Sequence, residues 1–123
     1  TREELVTKVS SAAGMYDYLG TKDMIEIQNR VDNGDKEAKL VVDAFIYQTT
    51  KEIWMYAASL EGKVDKIILT GGIAYSENIV HKISENVSKL ANVAVIPGEM
   101  EMEALALGAL RVLSGEEKVK VYR

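Results

Sequence analysis

The sequence predicts a single α/β domain, and three observations predict it. A strand, helix, strand pattern fills residues 64–96, a long amphipathic helix precedes it from Lys36 to Leu60, and no linker, repeat or low-complexity run divides residues 1–123. With 47% hydrophobic and 28% charged residues, a chain of 123 residues can bury a core and has no disordered character.

The elements follow in order. "TREELVTKV" offers Thr1 as an N-cap and Glu4 three positions into the helix, with Leu5 and Val9 four apart on one face, so a short helix opens the chain and ends by Gly14. "MYDYLG" alternates as a short strand or hairpin arm would, closing at Gly20. Thr21 then caps a helix carrying Met24, Ile27 and Val31, which Asn33-Gly34 stops. From Lys36 to Leu60 the residues Ala38, Val41, Val42, Phe45, Ile53, Tyr56, Ala57 and Leu60 share one face, a helix of about 37 Å. Gly62 closes it. "VDKIILT" reads as a buried strand, "SENIVHKISENVSKLA" as a helix with apolar residues at 79, 80, 83, 87 and 90, and "VAVI" as a second buried strand. A helical connection favours parallel strands, a right-handed crossover and helices covering the sheet. Pro97-Gly98 turns the chain into a last helix, "EALALGALRVL", and the charged tail "EEKVKVYR" should fray.

Several function classes are disfavoured. Cysteine is absent, which excludes disulfides and thiolate metal sites and makes a cytoplasmic location the default. A net charge of −4 without a Lys/Arg cluster argues against nucleic-acid binding. No apolar run approaches the ~20 residues of a membrane span, and "TREELVTKV" lacks the form of a secretory signal. His81 lies four residues from both Glu77 and Glu85 on a polar helix side, as a solvated histidine would, and the serines have no His/Asp arrangement for nucleophilic catalysis. The aromatics Tyr47, Trp54 and Tyr56 belong to the long helix, where they pack against partners or the rest of a larger core in preference to forming, with Tyr16 and Tyr18, a stacking platform.

Active features of an open α/β sheet lie beyond the carboxyl ends of its strands, here at residues 70–76 and 97–101. In the first loop Gly71 and Gly72 bare the backbone, Ala74 keeps the next position small and Ser76 can cap the following helix. A base, or a sugar and phosphate, could rest there; equally, the glycines could serve only to turn the strand into its helix. "TGGIAYS" matches neither the dinucleotide fingerprint nor the P-loop. In the second loop Glu99, Glu101 and Glu103 alternate at a helix start, where carboxylates either complement the helix dipole or help hold Mg²⁺.

"ILTGGIAYSENIV" with "VIPGEMEMEALALGALRVLSGEE" resembles the carboxyl-terminal part of the butyrate kinases, of the acetate kinase group within the acetate and sugar kinase, Hsc70 and actin superfamily. The likeness runs back through "GMYDYLGTKD" and the long helix. It implies an actin-like (ribonuclease H-like) ATPase domain, mixed or parallel in its sheet, forming the carboxyl-terminal half of a two-domain kinase. It further implies ATP/ADP and Mg²⁺ as cofactors and butanoate as substrate, phosphorylated reversibly to butanoyl phosphate. By the same resemblance Gly71, Gly72 and Ile73 lie on the adenosine, Ser76 stands where acetate kinases have asparagine, Asp23 lines the nucleotide pocket, and Glu101 organises the metal, with Glu99 and Glu103 as substitutes. Asp23-Met24-Ile25 departs from the related Asp-x-Arg pattern, so an arginine contact is not expected. The family's amino-terminal domain, with the acid pocket and the groups that steady the phosphoryl, is not in residues 1–123. No catalytic residue is therefore expected here, and this piece alone should be inactive. A homo-oligomer is implied as well. The alternatives are a non-catalytic nucleotide-binding regulatory or scaffold module, or a kinase for acetate, propionate or a branched acid.

Overall fold

The structure, a computed structural model, describes residues 1–121. Among the described residues six helices and two strands follow one another as α1 (Arg2–Ser11), α2 (Met15–Leu19), α3 (Met24–Asp32), α4 (Lys36–Ser59), β1 (Ile67–Gly71), α5 (Glu77–Val87), β2 (Val93–Pro97) and α6 (Glu101–Leu113), with a 3₁₀ turn over Gly72–Tyr75. The strands are parallel, paired from Ile67 with Val93 to Gly71 with Pro97, and α5 forms the connection. The α/β reading holds.

The capping box is present as read: Thr1 accepts from the Glu4 amide while the Glu4 carboxylate reaches the chain's amino group. α1 nevertheless buries nothing, and Leu5 and Val9 stand in the open. "MYDYL" is a helix and not a strand. Met15 and Leu19, read as alternating, are also four apart, and the helical spacing puts both against the core while Tyr16 and Tyr18 face outward. A lone five-residue strand would leave its amides without partners, whereas a helical turn bonds its own. At the next helix the cap is Asp23, whose Oδ1 accepts from the Ile25 amide at 2.9 Å; Thr21 instead accepts from the Asp23 amide.

The core lies where α3, α4 and α5 meet. α4 contributes Ala38, Val42 and Ile46 and α5 contributes Ile79 and Ile83, each a stripe at the four-residue spacing that brings side chains onto one helical face, and α3 contributes Ile27. Asp43 on α4 takes ion pairs from Lys39 and, at 3.1 Å, from Lys82 of α5. Trp54 Nε1 donates to the Asn86 carbonyl at 3.3 Å. Arg30 ties three helices: its Nη1 donates to the Leu19 carbonyl and its Nε to Asp35, the α4 cap, at 2.8 Å. Tyr56 and Leu60, placed on the core face by periodicity, are exposed because the packed part of α4 faces α3 and α5.

The strands are not buried as expected. Leu69 packs on the core, but Ile68, Val95 and Ile96 are exposed, because helices cover one face of this two-stranded sheet and nothing among the described residues covers the other. α6 likewise has no buried residue. Among the described residues no helix is long and apolar enough to cross a membrane. The tail expected to fray, 116–123, falls partly outside the described residues; within them, Glu117 is paired with Arg111 at 3.1 Å.

Candidate functional site

The two loops singled out by the sequence meet at one end of the sheet. As β1 ends, the Gly71 amide donates to the Gly98 carbonyl at 3.2 Å and the Gly98 amide returns a bond to Gly71 at 3.1 Å. Thr70 Oγ1 adds a longer bond to the same Gly98 carbonyl, at 3.4 Å. The corner and the acidic loop are thus joined by main chain.

The paired glycines have different reasons for being there. Gly71 has φ +81°, a conformation that side chains rarely adopt, so the turn itself requires it. Gly72 has no such angle, it is exposed, and a Cβ built on it would meet nothing within 4 Å. Nothing inside the fold demands a glycine at 72. Ala74 is buried under the turn, and the Ile73 side chain packs against the core, leaving only the Ile73 backbone for a ligand.

Ser76 occupies the N-cap position of α5, but its hydroxyl does not cap: Oγ is shut off from solvent with no hydrogen-bond partner, as is Gln28 Oε1. Such an unpaired buried group costs about 1–3 kcal/mol. Both residues border an open cleft of about 590 Å³ with Asp32, Tyr75, Glu77 and Asn78. Tyr75 is exposed, yet its hydroxyl hangs over Gly98, 2.7 Å from where a Cβ would stand. Asp23 is engaged in capping α3, roughly 13 Å along the helix from Asp32. Of the residues proposed from sequence, Ser76 alone borders this cleft.

Glu101 begins α6, with Glu103 in the same turn and Glu99 just before it, all exposed and none ion-paired among the described residues. Successive residues rotate by about 100°, so Glu101 and Glu103 diverge around the helix. No group of three or more acidic, histidine or cysteine side chains converges for a metal among the described residues. One carboxylate with water and phosphate oxygens is the arrangement that fits, and Mg²⁺ is commonly held so. His81 lies 3.3 Å from Glu85 and is exposed. Gln28 and Tyr75 went unselected in the sequence. Tyr75 could have been suspected as the one aromatic side chain in the glycine corner, but nothing local marks Gln28.

Comparison with known proteins gives these loops a lineage. The model of the acetokinase family matches residues 1–122. Probable butyrate kinases from Clostridium botulinum strains Alaska E43 / Type E3 and Eklund 17B / Type B are each 49% identical over 122 residues, covering 99% of this chain and 34% of the relative. The chain therefore spans about a third of the length of these curated relatives. With the family match running from its first residue to its last but one, the chain belongs to the acetokinase family.

Proposed function

We propose that this chain is the nucleotide-binding part of an actin-like carboxylate kinase, one that passes the γ-phosphoryl of ATP to butanoate and works backwards from butanoyl phosphate and ADP. The observation that carries the reading is Gly72: a bare, exposed position beside the sheet end that the fold does not itself require. A nucleoside lying on the main chain of Gly71, Gly72 and Ile73 supplies the missing reason. Family membership supports carboxylate phosphorylation, and the names of the relatives support butanoate.

Glu101 would hold Mg²⁺, through water, beside the nucleotide phosphates, with Glu99 and Glu103 as substitutes; the metal supplies charge neutralisation at those phosphates. Asp23, engaged in capping α3, is the residue of this set whose part in the pocket is fixing the start of that helix. Phosphoryl transfer depends on positioning and on charge around the phosphate. Among the described residues no lysine, arginine or histidine borders the cleft, and the groups that steady the transfer are assigned to the remainder of the enzyme. This chain alone binds nucleotide and turns nothing over. The unburied apolar faces of α1 and α6 support a larger assembly in which that remainder, and a second copy, cover them.

The test is calorimetric titration of the full-length enzyme with MgADP. Gly72→Val should weaken binding by at least about tenfold, equivalent to 1.4 kcal/mol, with an unchanged melting temperature. Unaltered affinity would remove the corner from the site. Glu101→Gln should raise the Mg²⁺ concentration needed for half-maximal activity, and normal metal dependence would shift the role to Glu99 or Glu103.

A further inference from the structure

α4 has two apolar sides, and the fold uses only one. Ala38, Val42 and Ile46 face the core, whereas Leu40, Val41, Ala44, Tyr47 and Met55 run along the opposite side, where all but Val41 are exposed. At about 100° per residue this second set spans roughly 120° centred on Ala44, the width of a packing stripe. Leu40 leaves 69% of its surface open there. The stripe borders an apolar groove of about 600 Å³ whose other wall is Met15 and Tyr18 of α2. A continuous apolar strip of this kind marks a contact surface, where scattered apolar residues would not.

The charges on the stripe indicate what covers it. Glu37 lies seven residues before Ala44 and Lys51 seven after, each within about 20° of its direction and about 10 Å along the axis. Neither is ion-paired among the described residues; Lys51 Nζ donates to Gln48 Oε1 at 3.1 Å and sits over the Tyr47 ring. A carboxylate in the first turn of α4 also suits the helix dipole, but that leaves Lys51, in mid-helix, without a reason. Opposite charges at equal distances on either side of a small residue are self-complementary. An unrelated partner would have no need of that symmetry.

We propose that this side of α4 is the seam between two copies of the chain, the helices lying antiparallel with a two-fold axis passing beside Ala44. Glu37 then meets the partner's Lys51, and Lys51 meets the partner's Glu37, so the contact is isologous. The small side chain at the crossing lets the helix axes approach to about 8 Å, and the apolar residues on either side of it close over the groove. The inference rests on the expectation of a second copy and not on the nucleotide reading, since the stripe belongs to α4 and the glycine corner to the turn between β1 and α5.

The experiment is sedimentation equilibrium of the full-length enzyme at micromolar concentration. The wild type should self-associate. Lys51→Glu sets like charges against each other at both contacts, as does Glu37→Lys, and each alone should weaken association by at least about tenfold. Because the contacts are reciprocal, the double variant Glu37→Lys/Lys51→Glu should return to the wild-type value, which also shows that the single variants fold. An equimolar mixture of the two single variants should pair with each other more tightly than either pairs with itself. A wild type that stays monomeric, single variants that associate as the wild type does, or a double variant as weak as the singles would each overturn the inference. In the second case the copies meet on another face, such as that of α6. Titration of the same variants with MgADP reports on the glycine corner separately, so the two readings fail independently.

Discussion

Gly98 carries two constraints at once. Its φ of +88° is a conformation other residues resist, and the Tyr75 hydroxyl occupies the space a side chain would need. Gly98→Ala should therefore destabilise the chain by roughly 1–3 kcal/mol in urea unfolding. Adding Tyr75→Ala should recover the steric part and leave the backbone part, so the double variant should be more stable than Gly98→Ala alone. At this scale the sequence disclosed the loops but not their contacts. "TGGIAYS" and "PGE" mark themselves by composition. The meeting of Tyr75 with Gly98, or the cleft that Gln28 and Ser76 both border, joins residues far apart in the chain and leaves no local trace. Ser76 shows the limit well: the residue type and position of a helix cap are present, and the hydroxyl points elsewhere.

Helices differ here in what secures them. α5 inserts Ile79, Ile83 and Val87 into the interior, Ile79 with no exposed surface, whereas α6 keeps Leu105, Leu110 and Leu113 in the open. Ile79→Ala should cost this chain about 2–5 kcal/mol, while Leu110→Ala should leave its urea midpoint nearly unchanged. Long stripes were readable because several turns repeat the same spacing, which is why α4 and α5 were legible as helices even though Tyr56 and Leu60 fall outside the core and α5 ends at Val87. "MYDYL" was not, since five residues satisfy a period of two and a period of 3.6 equally well. Which one prevails is decided by whether Met15 and Leu19 find a core together, and that depends on α4.

The whole molecule's response to acid follows from two carboxylates. The Ala38 amide, then Arg30, hold the Asp35 carboxyl below its ordinary 3.8, and Lys39 with Lys82 do the same for Asp43. The unfolded chain takes up these protons at 3.8 and the folded chain only at lower pH, so the stability they add is present above 3.8 and is lost as pH falls through the depressed values. A series of thermal melts should show the midpoint level from pH 7 to about 5 and declining below about 4. Asp43→Asn should flatten part of that decline. The expectation of buried strands failed at this scale for a related reason. Apolar content records what a strand is suited to meet, and the chain, a third of its relatives' length, brings cover for only one side. The reciprocal amide bonds between Gly71 and Gly98 rivet the ends of β1 and β2 together. Neither loop can then swing as an independent flap: whatever movement admits or releases a ligand must carry both strand ends as one plate, with the freedom lying in side chains such as Tyr75 at its margin.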